Sequence, residues 1–255
     1  MVNIALCLTG FLRNIDFIEN IKNFYNKHLL HNQSLTIYYS CPSKIEETDH
    51  NFDKDFILKL FKNQENDNIK VNISFRDYDK NTFVLKAQQL NLPHITSHNY
   101  HSHRIISCLN GFAETAKLVN NSNYNFIIFS RLDIINNIAS ISEIFDNTYY
   151  LKNVAYVWRT IPYISSGNSE YHVEDRFFIS SNECIDIIKN AYTKLDILNI
   201  KQEHFLTELV LGKIFNLYET ISKYHLHGLK VTDDFDRYMH QRHYTKYAQL
   251  FLESM

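Results

Sequence analysis

Residues 125–134 read NFIIFSRLDI, four apolar residues from Phe126 to Phe129 followed by Ser130, Arg131, Leu132 and Asp133. A short, unbroken apolar run bounded by polar residues suits a strand covered on both faces, as in the middle of a parallel sheet. This run ends by presenting an arginine and a carboxylate two residues apart. If the strand continues that far, Arg131 and Asp133 project from the same face, because side chains alternate along a strand.

Upstream, the chain alternates between strand and helix patterns. Val2–Thr9 is strand-like, and Asp16–Leu30 has helical spacing through Phe17, Ile18, Ile21, Phe24, Tyr25 and Leu29. Leu35–Ser40 reads as a strand, Asp55–Lys62 as a helix and Lys70–Phe75 as a strand. Arg104–Val119 then reads as a helix feeding the 126–129 run. Asn81 to His103 shows no clear period and reads as a long loop. Repeats of this length predict an α/β fold with a mostly parallel sheet flanked by helices. Past Asp133 the pattern is mixed, with strand-like pieces at Tyr149–Leu151, Ala155–Arg159 and Arg176–Ser180, helices at Glu183–Tyr192 and Glu203–Phe215, and a strand at Tyr224–Val231. No linker, repeat or low-complexity segment divides the 255 residues, and a single domain is expected.

Composition narrows the function. With 26 basic and 28 acidic residues there is no global field to gather nucleic acid, so an anionic ligand must be held locally. No stretch approaches the roughly 18 apolar residues needed to span a bilayer, so no transmembrane segment is expected. Cys7, Cys41, Cys108 and Cys184 form no C-x-x-C pair and read as reduced thiols of a cytoplasmic protein. The 5 glycines are too dispersed for a dinucleotide fingerprint or a P-loop. G-x-S-x-G and H-E-x-x-H are absent too.

Ligands of open α/β sheets bind outside the carboxyl ends of strands. The first strand ends LTGFLRN (residues 8–14), which brings Thr9, Gly10 and Arg13 to that edge. The SRLD segment brings Arg131 and Asp133. Arg131 could clamp a phosphate through two parallel hydrogen bonds, and Asp133 could hold a divalent cation bridging a diphosphate. The alternative is an ion pair, Arg131–Asp133 or Arg13–Asp133, that only closes a strand end.

These features together resemble the nucleotide-sugar-dependent glycosyltransferases of the GT-A fold: a first strand ending in small residue-Gly-x-x-Arg, a helix opening near an arginine, and an apolar strand ending Arg-x-Asp. The likeness is to a poorly characterised branch found in bacterial glycan clusters and large DNA viruses, where the DXD motif is commonly written with Arg first. It covers about residues 2–15 and 100–215. It implies one GT-A-like domain, with residues 1–133 as the nucleotide-sugar-binding half and residues 134–255 as the acceptor-binding half and C-terminal tail. The implied reaction moves a sugar from a nucleoside diphosphate sugar to a glycan acceptor with Mn²⁺ or Mg²⁺ assisting. Here the first aspartate of the motif is missing.

By that resemblance Asp133 is the metal and diphosphate residue, Thr9, Gly10, Arg13 and Arg131 border the nucleotide, and Arg104 approaches the donor from its helix. HVEDRFFIS (172–180) resembles the acceptor-side segment; Asp175 would be the catalytic base and Glu174 an acceptor ligand. Glu203, in KQEHFLTEL (201–209), would bind an acceptor hydroxyl, although an acid in a first helical turn also complements the helix dipole with no further role. In YHLHGLK (224–230), His227 and Lys230 resemble a late element that completes metal and diphosphate binding, at compressed spacing. His94, His98, His101 and His103 crowd the segment HITSHNYHSHR (94–104). Mixed spacings with no cysteine make a poor closed zinc site, and the group reads as a polar active-site rim. Trp158, Tyr163 and Tyr171 could offer a sugar-stacking platform, or be core. The alternative from another class is a non-catalytic nucleotide-sugar or glycan-binding protein.

Overall fold

The computed structural model describes residues 2–12, 16–29, 33–44, 53–96, 101–120, 124–132, 155–157, 163–165, 168–170, 177–180 and 185–197. Four strands form a parallel sheet: β1 (Val2–Thr9), β2 (Gln33–Pro42), β3 (Ile69–Arg76) and β4 (Phe126–Arg131). Short strands β5 (Ala155–Val157) and β8 (Phe177–Ser180) extend it in the order β3-β2-β1-β4-β8-β5, with β8 antiparallel to both neighbours. A separate hairpin pairs β6 (Tyr163–Ser165) with β7 (Asn168–Glu170). The parallel first half and mixed second half follow the sequence pattern.

Helices cover both faces, which is why β1 carries five consecutive fully buried residues, Ile4 to Leu8. Ile4, Leu6 and Leu8 pack with α1 (Asp16–His28) and α2 (Lys54–Lys62) through Ile18, Ile21, Phe24, Ile57 and Phe61. Ala5 and Cys7 face the other layer, made by α3 (Lys80–Gln89), α4 (Ser102–Leu118) and α5 (Ile185–Lys189). In that layer Phe112 of α4 packs on Phe129 and Phe178, whose rings stack at 4.8 Å and 15°. Three buried phenylalanines thus tie the parallel strands to antiparallel β8; each contributes about 1.5–3 kcal/mol by leaving water.

Two expectations are corrected. Residues 81–89, within the segment read as a loop, are helical as part of α3. Asp79 caps α3, accepting from Asn81 N at 2.9 Å and Thr82 Oγ1 at 2.8 Å. The helix buries only Phe83 and Ala87 among its own residues, an i, i+4 pair too sparse to register as a period. In addition, β4 ends at Arg131 and Leu132 lies in a turn, so strand alternation does not carry the face of Arg131 to Asp133. The expected elements at 149–151, 203–215 and 224–231 lie outside the described residues. Among the described residues no helix is long and apolar enough to cross a membrane.

Candidate functional site at the carboxyl edge of the sheet

From β1 the chain runs outward through α1, β2 and α2 to β3, then returns through α3 and α4 on the opposite face to enter β4 on the other side of β1. The direction of winding therefore reverses between β1 and β4, and the carboxyl ends of strands at such a switch point border a crevice. Thr9 is paired with Arg131 there, and Leu132 N donates to Thr9 O at 3.2 Å. The two strand ends singled out in the sequence are thus neighbours.

Gly10 turns the chain out of β1 with φ +93°, a conformation that glycine adopts without strain. Among the described residues a Cβ at this position would meet nothing within 4 Å, so the requirement there is conformational. Tyr39 OH donates to Gly10 O at 2.8 Å, anchoring the turn to β2. The last β1–β2 pair is Leu8–Tyr39, and beyond it the Thr115 hydroxyl stands between the strands, accepting from Ser40 N at 3.2 Å and donating to Leu8 O at 3.0 Å. One threonine of α4 therefore satisfies both backbone groups where β1 and β2 part. Thr9, on the α4 side of the sheet by alternation with Ala5 and Cys7, is 1% exposed, and its Oγ1 has no hydrogen-bond partner among the described residues. A buried unsatisfied hydroxyl is costly and calls for an explanation.

Arg131 is half-buried on the same side as Phe129. Arg104 is exposed in the first turn of α4. It precedes Gly111 by seven residues, about 10 Å at a rise of ~1.5 Å per residue. Gly111 marks the level of the β3 end: its Cβ position lies 3.3 Å from Nη2 of Arg76, the last residue of β3. Arg76, at the carboxyl end of β3, is a candidate that the sequence reading missed. Its Nε donates to Ser40 O at 3.3 Å, while Nη1 is buried without a hydrogen-bond partner among the described residues. Burial holds its pKa below the ordinary arginine value. The signal was present in ISFRDYD (73–79), where an apolar-rich strand ends in Arg-Asp much as NFIIFSRLDI does.

Phe177, the first residue of β8, pairs with Ser130 at the carboxyl end of β4. Glu174 and Asp175 precede that start in the chain and lie outside the described residues, as do Arg13, Asp133, Glu203, His227 and Lys230, together with Trp158 and Tyr171. Tyr163 opens β6. Burial, the main cause, pushes the Cys41 thiol up to about 12 and the Cys7 thiol higher still, so neither supplies a thiolate nucleophile at neutral pH.

Ahead of α4, the histidine-rich segment is brought together. His94, His101 and His103 each offer a ring nitrogen, all within 4.8 Å of one another, whereas His98 lies outside the described residues. No protein-family model and no curated protein matches this chain. Its chemistry must be argued from the crevice and the side chains around it.

Proposed function

We propose that this chain is a GT-A-like glycosyltransferase that moves a sugar from a nucleoside diphosphate sugar to a glycan acceptor. The observation that carries the reading is the juxtaposition of Thr9–Gly10 with Arg131 at the switch point, where an α/β sheet takes its ligand. A diphosphate there meets a turn where no described residue crowds the Gly10 Cβ position, and the guanidinium of Arg131, which suits phosphate oxygens through parallel N–H donors. Arg76 adds a second, half-buried cation at the edge of the same sheet.

Mn²⁺ or Mg²⁺ takes oxygen ligands and often needs only one or two carboxylates. The Thr9 hydroxyl, lacking a partner among the described residues, suits a hydrogen bond to a diphosphate oxygen, and Asp133, next in the chain after Leu132, supplies the carboxylate for the ion in this reading. His227 and Lys230 complete metal and diphosphate binding. A bound cation supplies Lewis-acid neutralisation of the departing diphosphate. Arg13 borders the nucleotide, and Arg104 reaches the donor from α4. On the acceptor side, Asp175 takes the proton of the attacking hydroxyl, while Glu174 and Glu203 hold the acceptor. The buried, reduced thiols of Cys7 and Cys41 suit a cytoplasmic setting.

The test is release of nucleoside diphosphate from a panel of UDP-, GDP-, CDP- and dTDP-sugars with Mn²⁺, first by slow hydrolysis and then with glycan acceptors. At least one donor should turn over, and Asp175→Asn should lower kcat by roughly 10²–10⁴-fold, the usual share of general-base catalysis. Donor binding without any turnover would leave a binding protein in place of an enzyme.

A further inference from the structure

We infer that His94, His101 and His103 form a binding site for a transition-metal ion, with Zn²⁺ as its occupant and one coordination position left open. The inference does not depend on the glycosyl-transfer reading.

The three imidazoles come from two directions and are held by backbone. His94 follows α3, and His101 and His103 flank the start of α4. Ile95 and His101 form an antiparallel bridge, Ser102 N donates to His94 O at 3.3 Å, and Ser102 Oγ donates to Pro93 O at 2.5 Å. Ser102 and Thr96 are buried, so this clamp is part of the packed structure. The rings lie 5.0 Å (His94–His101), 5.4 Å (His101–His103) and 6.5 Å (His94–His103) apart between centroids. A tetrahedral ion with Zn–N distances of about 2.1 Å sets its ligand nitrogens about 3.4 Å apart. The 4.8 Å span exceeds that value by about 1.4 Å, a difference within the reach of side-chain rotation.

A second observation points to a ligand. His101 occupies the N-cap position of α4, yet its side chain makes no capping hydrogen bond, and its Nδ1 is buried without a hydrogen-bond partner among the described residues. Coordination to a metal satisfies such a nitrogen. Three neutral imidazoles select Zn²⁺, Cu²⁺ or Ni²⁺ over the oxygen-seeking Mg²⁺ and Mn²⁺, and Zn²⁺ accepts the tetrahedral arrangement. Three protein ligands leave a fourth position, and His94 is exposed, which opens the site to solvent on its side. No acidic side chain lies in the first turn of α4. The ion's charge is therefore balanced by an anion or hydroxide at the open position. Bound metal fastens the segment after α3 to the first turn of α4, which carries Arg104.

The test uses the full chain stripped with chelator and reloaded with Zn²⁺, Co²⁺ or Mn²⁺. Zn²⁺ should bind the histidine site at one ion per chain and raise the melting temperature, Co²⁺ should give the visible absorption of a tetrahedral nitrogen-rich site, and an equal concentration of Mn²⁺ should not displace the Co²⁺ that gives it. His101→Ala should weaken Zn²⁺ by more than about tenfold, since even loss of an outer-shell partner costs that much. His94→Ala, at an exposed position, should do the same while the metal-free protein melts as wild type, which separates loss of a ligand from loss of fold. Equal Zn²⁺ affinity in wild type and His94→Ala, or no Zn²⁺ bound at micromolar concentration, overturns the assignment.

Discussion

Replacing Thr9 by valine keeps the β-branched shape of the side chain and removes only its hydroxyl. That hydroxyl is buried at 1% residue exposure with no partner among the described residues, while the backbone bond from Leu132 N to Thr9 O does not involve the side chain. An unpaired buried hydroxyl costs about 1–3 kcal/mol relative to an apolar isostere. Thr9→Val should therefore raise the stability of the ligand-free protein by about 1 kcal/mol, or ~2–4 °C in Tm for a chain of this size. If the hydroxyl waits for a ligand at the switch point, nucleoside diphosphate binding should weaken by the worth of one neutral hydrogen bond, about 0.5–1.5 kcal/mol or roughly 2–13-fold. Urea denaturation followed by calorimetry with nucleoside diphosphate and Mn²⁺ reads both quantities on one preparation. A loss of stability with unchanged binding refutes the reasoning, because the hydroxyl is then satisfied within the fold.

Arg76→Met should leave stability unchanged or raise it, because it removes a guanidinium whose buried Nη1 has no hydrogen-bond partner among the described residues; it should also weaken nucleoside diphosphate binding if Arg76 serves the edge, both measurable by the same pair of assays. Asp79→Ala should lower stability at neutral pH by removing the cap of α3. The Asp79 carboxyl is held below its ordinary 3.8 by hydrogen bonds from Thr82 and then Asn81. Its contribution is therefore complete above that pH and fades as pH falls through the lowered folded-state value, so wild-type and Asp79→Ala melting curves should converge in acid.

The centre of the parallel sheet was legible because β1 and β4 are buried on both faces, leaving the unbroken runs Ile4–Leu8 and Phe126–Phe129 bounded by polar residues. The meeting of Thr9 with Arg131 was foreshadowed by two strands ending in polar residues, but their adjacency follows from strand order, to which local pattern is blind. Helix α3 escaped because its own contribution to the core is little more than Phe83 and Ala87, while its cap speaks through Asp79 and Thr82. Arg76 escaped for a different reason. Its surroundings, Ser40 and Gly111, stand 36 and 35 positions away in the chain, and only the fold brings them together. The histidines were visible as a composition, but their irregular spacing hid the convergence that the bridge between Ile95 and His101 produces.

The most direct test of the central claim is calorimetric titration of the full chain with UDP, GDP, CDP and dTDP, with and without Mn²⁺, in wild type and Asp133→Asn. The expected result is one nucleoside diphosphate bound per chain with a strong Mn²⁺ dependence in wild type. At about 100 times Kd this adds roughly 2.7 kcal/mol of stability. In Asp133→Asn the Mn²⁺ dependence should be lost while the ligand-free melting temperature stays the same. If no nucleoside diphosphate binds wild type with Mn²⁺, or if a well-folded Asp133→Asn protein binds it with the same Mn²⁺ dependence, the claim that the carboxyl ends of β1 and β4 hold a metal-bridged diphosphate is contradicted.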